Sequence, residues 1–158
     1  MATSTKVSSL QRRRLLIGIA GVTLLPATAT AHAAPLVEVW KSPACGCCND
    51  WIIHLKANGF QVKSYDTGNA PMRSALGLPP KLSSCHTAKI DGYVVEGHVP
   101  AREIHRLLKE RPVALGLAVP GMPLGSPGMD GEAFDHKTEP YNVLLVLRDG
   151  ATRVFQAY

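Results

Sequence analysis

Between Leu36 and Tyr65 the chain changes its hydrophobic period twice, and no other stretch constrains the fold as strongly. Leu36-Val37-Glu38-Val39-Trp40 reads as a buried first strand that runs to Lys41. A helix to about Asn58 follows, with Cys48, Ile52 and Leu55 on one stripe at i, i+4 and i+7 and Trp51 beside them. Gly59 stands where a helix commonly ends in a left-handed residue. Residues 60–65 alternate apolar and polar, the period of a half-buried strand. Strand, helix and strand in so short a span make a βαβ unit, so the two strands are expected to be parallel.

The turn between the first strand and the helix holds Ser42-Pro43, read as an N-cap with proline at the first helical position. Cys45-Gly46-Cys47-Cys48 therefore falls in or just before the first helical turn. Unpaired N–H groups and the positive end of the helix dipole favour thiolate over thiol there. Thiolate binds soft metals and also attacks disulfides, so the motif points at sulfur chemistry of one kind or the other. The fourth cysteine, Cys85, lies far down the chain beside His86. Two structural disulfides fit this spacing poorly, since Cys47 and Cys48 are adjacent and pairing Cys45 with Cys48 leaves Cys47 only Cys85.

Residues 69–78 predict a short helix stopped by Pro79-Pro80. Asp91-Gly92 between strand-like runs at 87–90 and 93–96 is a strong hairpin signal. Residues 100–111 form an amphipathic helix with Ile104, Leu107 and Leu108 on one face, ended by Pro112. Residues 116–140 are rich in Gly and Pro, lack periodicity, and read as a long functional or mobile loop. A second hairpin of the same grammar, 142–148 and 152–156 around Asp149-Gly150, closes the chain. The order is that of an α/β domain with a mixed central sheet flanked by helices.

Residues 1–33 read as a cleaved export signal, and 34–158 as one metal-binding domain. Gln11-Arg12-Arg13-Arg14-Leu15-Leu16 runs into an apolar stretch too short to span a bilayer, and Ala31-His32-Ala33 offers a cleavage site. The paired arginines resemble a twin-arginine signal, with general secretion the other route. This segment holds Lys6, Arg12, Arg13 and Arg14 and no acid, so 17 basic residues fall to 13 against 12 acidic ones on its removal. A nearly neutral mature chain gives no support to a nucleic-acid surface. No membrane span is expected after cleavage, and the expected location is the periplasm.

Strand, C-x-x-C helix, strand, helix, hairpin, helix resembles the thioredoxin-like order. The specific motifs Lys41-Ser42-Pro43-Ala44-Cys45-Gly46-Cys47-Cys48 and Ser84-Cys85-His86-Thr87-Ala88 resemble the CopG-type periplasmic copper-binding proteins. So do Gly92-Tyr93-Val94-Val95-Glu96-Gly97-His98-Val99-Pro100, the Gly-Leu-Ala-Val-Pro-Gly-Met-Pro run from Gly116 to Pro123, and Gly125-Ser126-Pro127-Gly128-Met129. The resemblance implies a thioredoxin-like fold and a role in copper resistance, with Cys45, Cys47, Cys48 and Cys85 as ligands. Its implied partners are copper ions and other periplasmic copper-handling proteins.

Soft thiolates select Cu(I), though zinc also accepts them. Structural zinc sites usually separate their ligands into two C-x₂₋₄-C pairs, and adjacent cysteines instead favour several bridged Cu(I) ions. Further candidates for the metal or its surroundings are His86, by adjacency to Cys85, and His98, just ahead of a helix. Met122 and Met129 join them, because they stand in a Gly/Pro loop and a thioether suits Cu(I). The other reading is a thioredoxin-like thiol–disulfide oxidoreductase using Cys45 and Cys48. Cys47 separates the two, since a dithiol enzyme needs two sulfurs and a polynuclear thiolate site needs the third. Hydrolytic and nucleotide motifs are absent from the sequence.

Overall fold

The computed structural model describes residues 33–158, together with residues 1 and 3. Apart from residues 1, 3 and 33, the expected export signal lies outside the described residues. The fold is that of the second of two units into which the chain divides, His32–Tyr158.

The expected βαβ unit is present as β1 (Leu36–Lys41), α1 (Gly46–Ala57) and β2 (Gln61–Tyr65), and β1 and β2 pair in parallel. Helix α1 ends in a Schellman arrangement. The Gly59 N–H donates to the Lys56 carbonyl and the Phe60 N–H to the Leu55 carbonyl, both at 3.2 Å, with Gly59 at φ +85°. Its start differs from the sequence reading. Cys45, not Ser42, is the N-cap, and Ser42 and Pro43 form a separate turn in which the Cys45 N–H donates to the Ser42 carbonyl at 3.1 Å. The Ser42 hydroxyl caps that turn by accepting from the Ala44 N–H at 3.3 Å, so its capping capacity is used outside the helix.

Then come α2 (Ala70–Ala75), a 3₁₀ turn at Pro80–Leu82, β3 (His86–Ile90), β4 (Tyr93–Glu96) and α3 (Ala101–Glu110). Helix α2 stops at Leu76 and Gly77, before Pro79-Pro80 is reached. Asp91 and Gly92 both have positive φ, as a two-residue hairpin turn requires. The loop expected over 116–140 begins instead with a strand, β5 (Gly116–Ala118), parallel to β4 and antiparallel to β6 (Asn142–Val146). Three residues are too few to show a period, and all three are buried, so no alternation was there to read. A 3₁₀ turn at Glu132–Phe134 also lies within the expected loop. In the last hairpin β7 (Thr152–Ala157) pairs with β6 through a longer turn, in which the Leu147 N–H donates to the Ala151 carbonyl at 2.8 Å. A register shift falls at Val143/Leu144.

The sheet is mixed and seven-stranded, in the order β2-β1-β3-β4-β5-β6-β7. On one face Val37, Val39, Ala88, Val95, Leu117, Val143 and Leu145 pack with Trp51, Ile52 and Leu55 of α1 and Ile104 and Leu107 of α3. On the other, Val94, Ala118 and Val146 are covered by Leu78 and Leu82 from the segment after α2. Burying apolar surface on both faces fixes the sheet from two sides. The cysteine turn is thereby held at the end of β1, beside the start of β3.

Candidate metal centre

Cys45 caps α1, while Cys47 and Cys48 occupy its first turn. The stripe that buries Trp51, Ile52 and Leu55 also buries Cys48, leaving Cys45 and Cys47 half-exposed at the rim. Cys85 precedes β3, and antiparallel pairing of Lys41 with His86 brings it across to the same turn. Its sulfur lies 3.4 Å from that of Cys48 and 4.0 Å from that of Cys47, and Cys45 and Cys47 are 3.6 Å apart. All four sulfurs fall within 4.8 Å of one another. Two of the four expected thiolates differ from the sequence reading: Cys45 and Cys48 are joined as a disulfide, leaving Cys47 and Cys85 as free thiols.

Both candidate histidines reach Cys85. The His98 Nε2 lies 3.1 Å from its sulfur and the His86 Nδ1 lies 3.3 Å from it, and both rings are fully buried. The Nδ1–H of His98 donates to the Pro127 carbonyl at 2.8 Å, which leaves the Nε2 lone pair facing sulfur. His86 lies against Trp51, with ring centroids 4.2 Å apart, and its Nε2 has no hydrogen-bond partner. Burial drives its pKa well below the usual histidine range, helped by His98, and burial likewise lowers that of His98. The Cys85 thiol is pushed up to about 12, chiefly by burial and then by Cys47.

Several residues that sequence reasoning missed hold Cys85 in place. Glu96 is fully buried at the end of β4. It accepts from the Ser84 N–H at 2.7 Å and the Thr87 hydroxyl at 2.5 Å, and pairs with Arg73 at 3.5 Å. Asn69 donates from Nδ2 to the Ser84 carbonyl at 3.1 Å. Ser84 is thus gripped at both its N–H and its carbonyl, and Cys85 follows directly. Burial raises the Glu96 pKa above the usual carboxylate range, against the hydrogen bonds from Thr87 and Ser84.

The Gly/Pro loop closes one side of the cluster. A Cβ on Gly128 would come within 2.6 Å of the Cys47 carbonyl oxygen and 2.8 Å of the Trp51 nitrogen, so only glycine allows this approach to α1. Gly121 ties the loop to the other half of the site, its N–H donating to the Ser83 carbonyl at 3.1 Å and its carbonyl accepting from the Ser84 hydroxyl. Met129 is buried next to Gly128, while Met122 stands exposed.

The fold and the cluster together define a class: mixed α/β domains that gather cysteines and histidines at the N-terminus of the first helix. Solved structures of "Copper resistance protein copG", in forms 1 and 2, are similar to this chain at 44% identity with a TM-score of 0.72. The similarity covers 78% of this chain and 98% of form 2 or 96% of form 1. A family model described as a protein of unknown function, DUF411, matches residues 82–129, from just before the Cys85 turn to Met129. No curated protein matches. The chain belongs to the CopG-type family.

Proposed function

We propose that this chain is a periplasmic copper-binding protein that, in its reduced state, holds Cu(I) through Cys45, Cys47, Cys48 and Cys85, as more than one ion bridged by thiolates. The observation that carries this reading is the convergence of four sulfurs within 4.8 Å from two distant parts of the chain. Thiolates are soft ligands, and Cu(I) is the soft cation they select. The copper resistance proteins to which the chain is similar support the same cargo. A cation beside Cys85 also offsets the charge that burial otherwise keeps neutralised by a proton. Among the described residues no helix is long and apolar enough to cross a membrane. Export rests on residues 1–33, and replacing Arg12-Arg13 by Lys-Lys is expected to retain the precursor in the cytoplasm if the twin-arginine route is used.

The Cys45–Cys48 disulfide favours a second reading, a thiol–disulfide oxidoreductase of the thioredoxin-like kind. Cys47→Ser separates the two because it spares that pair. Under anaerobic, reducing conditions the copper reading requires a lower Cu(I)-to-protein ratio in competition with a moderate chelator. The oxidoreductase reading requires insulin reduction to continue at close to the wild-type rate. Brisk disulfide reduction by a wild-type protein that takes no Cu(I) from the chelator would replace the first reading by the second.

A further inference from the structure

Cys85 belongs to two clusters. Besides the four sulfurs, its Sγ and one ring nitrogen each of His86 and His98 lie within 4.8 Å of one another. Closing the Cys45–Cys48 disulfide removes two donors from the first group and none from the second. In a tetrahedral site with zinc-like bond lengths, sulfur and nitrogen ligands stand about 3.6 Å apart. The separations of 3.1 Å (His98 Nε2) and 3.3 Å (His86 Nδ1) from Cys85 Sγ are within about half an ångström of that edge.

The two imidazoles are also prepared as ligands rather than as filler. His98 donates Nδ1–H to the Pro127 carbonyl, the outer hydrogen bond that orients a metal-binding histidine and leaves its other nitrogen bare. His86 is fully buried with no hydrogen-bond partner at Nε2, an arrangement that an apolar side chain would satisfy better if packing against Trp51 were its only task. Its Nδ1 points at Cys85, and that nitrogen gives the imidazole a reason to be there.

We propose that Cys85 Sγ, His86 Nδ1 and His98 Nε2 form a second metal site, which survives closure of the Cys45–Cys48 disulfide and takes a single borderline divalent cation of the zinc class. The proposal rests on the copper reading in sharing Cys85 with it. Reduced, the protein offers four sulfurs and selects a soft monovalent ion. Oxidised, the second group still offers its one sulfur and two nitrogens, with the free Cys47 thiol 4.0 Å from Cys85 Sγ, a donor set suited to borderline divalent ions. Binding displaces the Cys85 thiol proton to solvent, and no electron is transferred.

The test uses the full chain and Co(II) alone, whose spectrum reports thiolate and imidazole ligation. Wild-type protein oxidised until two thiols titrate should bind one equivalent, with a thiolate-to-cobalt charge-transfer band. The Cys45→Ser, Cys47→Ser, Cys48→Ser triple variant should retain that equivalent, and adding His98→Gln should weaken it at least tenfold. Absence of Co(II) uptake by the triple variant, or uptake indifferent to His98→Gln, overturns the proposal. Should His98→Gln fail to fold, the ¹⁵N resonance of His98 Nε2 in the triple variant decides. It should shift on adding Zn(II), and no shift is a refutation. Cu(I) uptake by reduced wild type is measured separately. Its loss with Co(II) retained sinks the copper reading, and the converse sinks this one.

Discussion

Gly128→Ala tests whether the Gly/Pro loop is seated on the first helix as described. Gly128 lies at φ +88°, where an L side chain is strained by about 1–2 kcal/mol. The added methyl would also sit 2.6 Å from the Cys47 carbonyl oxygen and 2.8 Å from the Trp51 nitrogen. Both are backbone atoms of α1 and cannot rotate away, so the loop must lift. Lifting it draws the Pro127 carbonyl off His98 and leaves a buried N–H unsatisfied, at about 1–3 kcal/mol. The variant is therefore expected to lose about 2–5 kcal/mol of unfolding free energy, read by denaturant titration of the reduced, metal-free protein. Faster reaction of Cys47 and Cys85 with a thiol reagent should accompany the loss. Gly131→Ala is the control, because that position has open space and ordinary backbone angles. It should fall within about 0.5 kcal/mol of wild type. A Gly128→Ala protein that matched Gly131→Ala in stability and thiol reactivity would refute the seating of the loop.

Other consequences follow from the same geometry. Burial raises the Glu96 pKa, so folding favours its protonated form. That contribution to stability is complete below the unfolded carboxylate range, near pH 4, and is lost as pH rises through the folded-state value. Glu96→Gln should remove this slope from a plot of unfolding free energy against pH, and an unchanged slope would clear Glu96 of the role. Gly116→Ala should cost about 3 kcal/mol or more by denaturant titration, since its Cβ would fall 1.7 Å from the Val94 carbonyl oxygen and force β4 and β5 apart. Asn69→Ala should cost about 1 kcal/mol and speed hydrogen exchange around Ser84 and Cys85.

The βαβ unit, both hairpins and the α3 face were legible because period and turn chemistry agreed there, and Gly59 marked the end of α1. The meeting of Cys85 with the C-x-C-C turn was implied by the family resemblance, which sets all four cysteines as ligands. The place of His98 was readable but unread. A two-residue turn at Asp91-Gly92 pairs Ile90 with Tyr93 and Thr87 with Glu96, and continuing the same register sets Cys85 opposite His98. The Gly97 N–H indeed donates to the His86 carbonyl at 3.0 Å, one step short of that pair. Glu96 carried no such signal. An acid closing a strand reads as solvated, and only the tertiary fold, which brings Ser84, Thr87 and Arg73 around it, makes its burial affordable. Strand β5 was hidden by its length, and the Cys45–Cys48 disulfide by the competing claim of metal ligation on the same sulfurs.

The loop that covers the cluster leaves the sheet after Ala118 and returns at Asn142, on strands that are hydrogen-bonded neighbours, with Ala118 opposite Leu144. Its two ends are thus fixed side by side by the sheet, whatever lies between them. For a loop so anchored, doubling its length adds only about 0.6 kcal/mol of closure entropy. Residues inserted between its seats would therefore cost little, while the cysteine turn, held by β1, α1 and β3, stays as it is. The cover over the cluster is an exchangeable part: its seat at Gly128 and its tie at Gly121 are the points a replacement would have to reproduce.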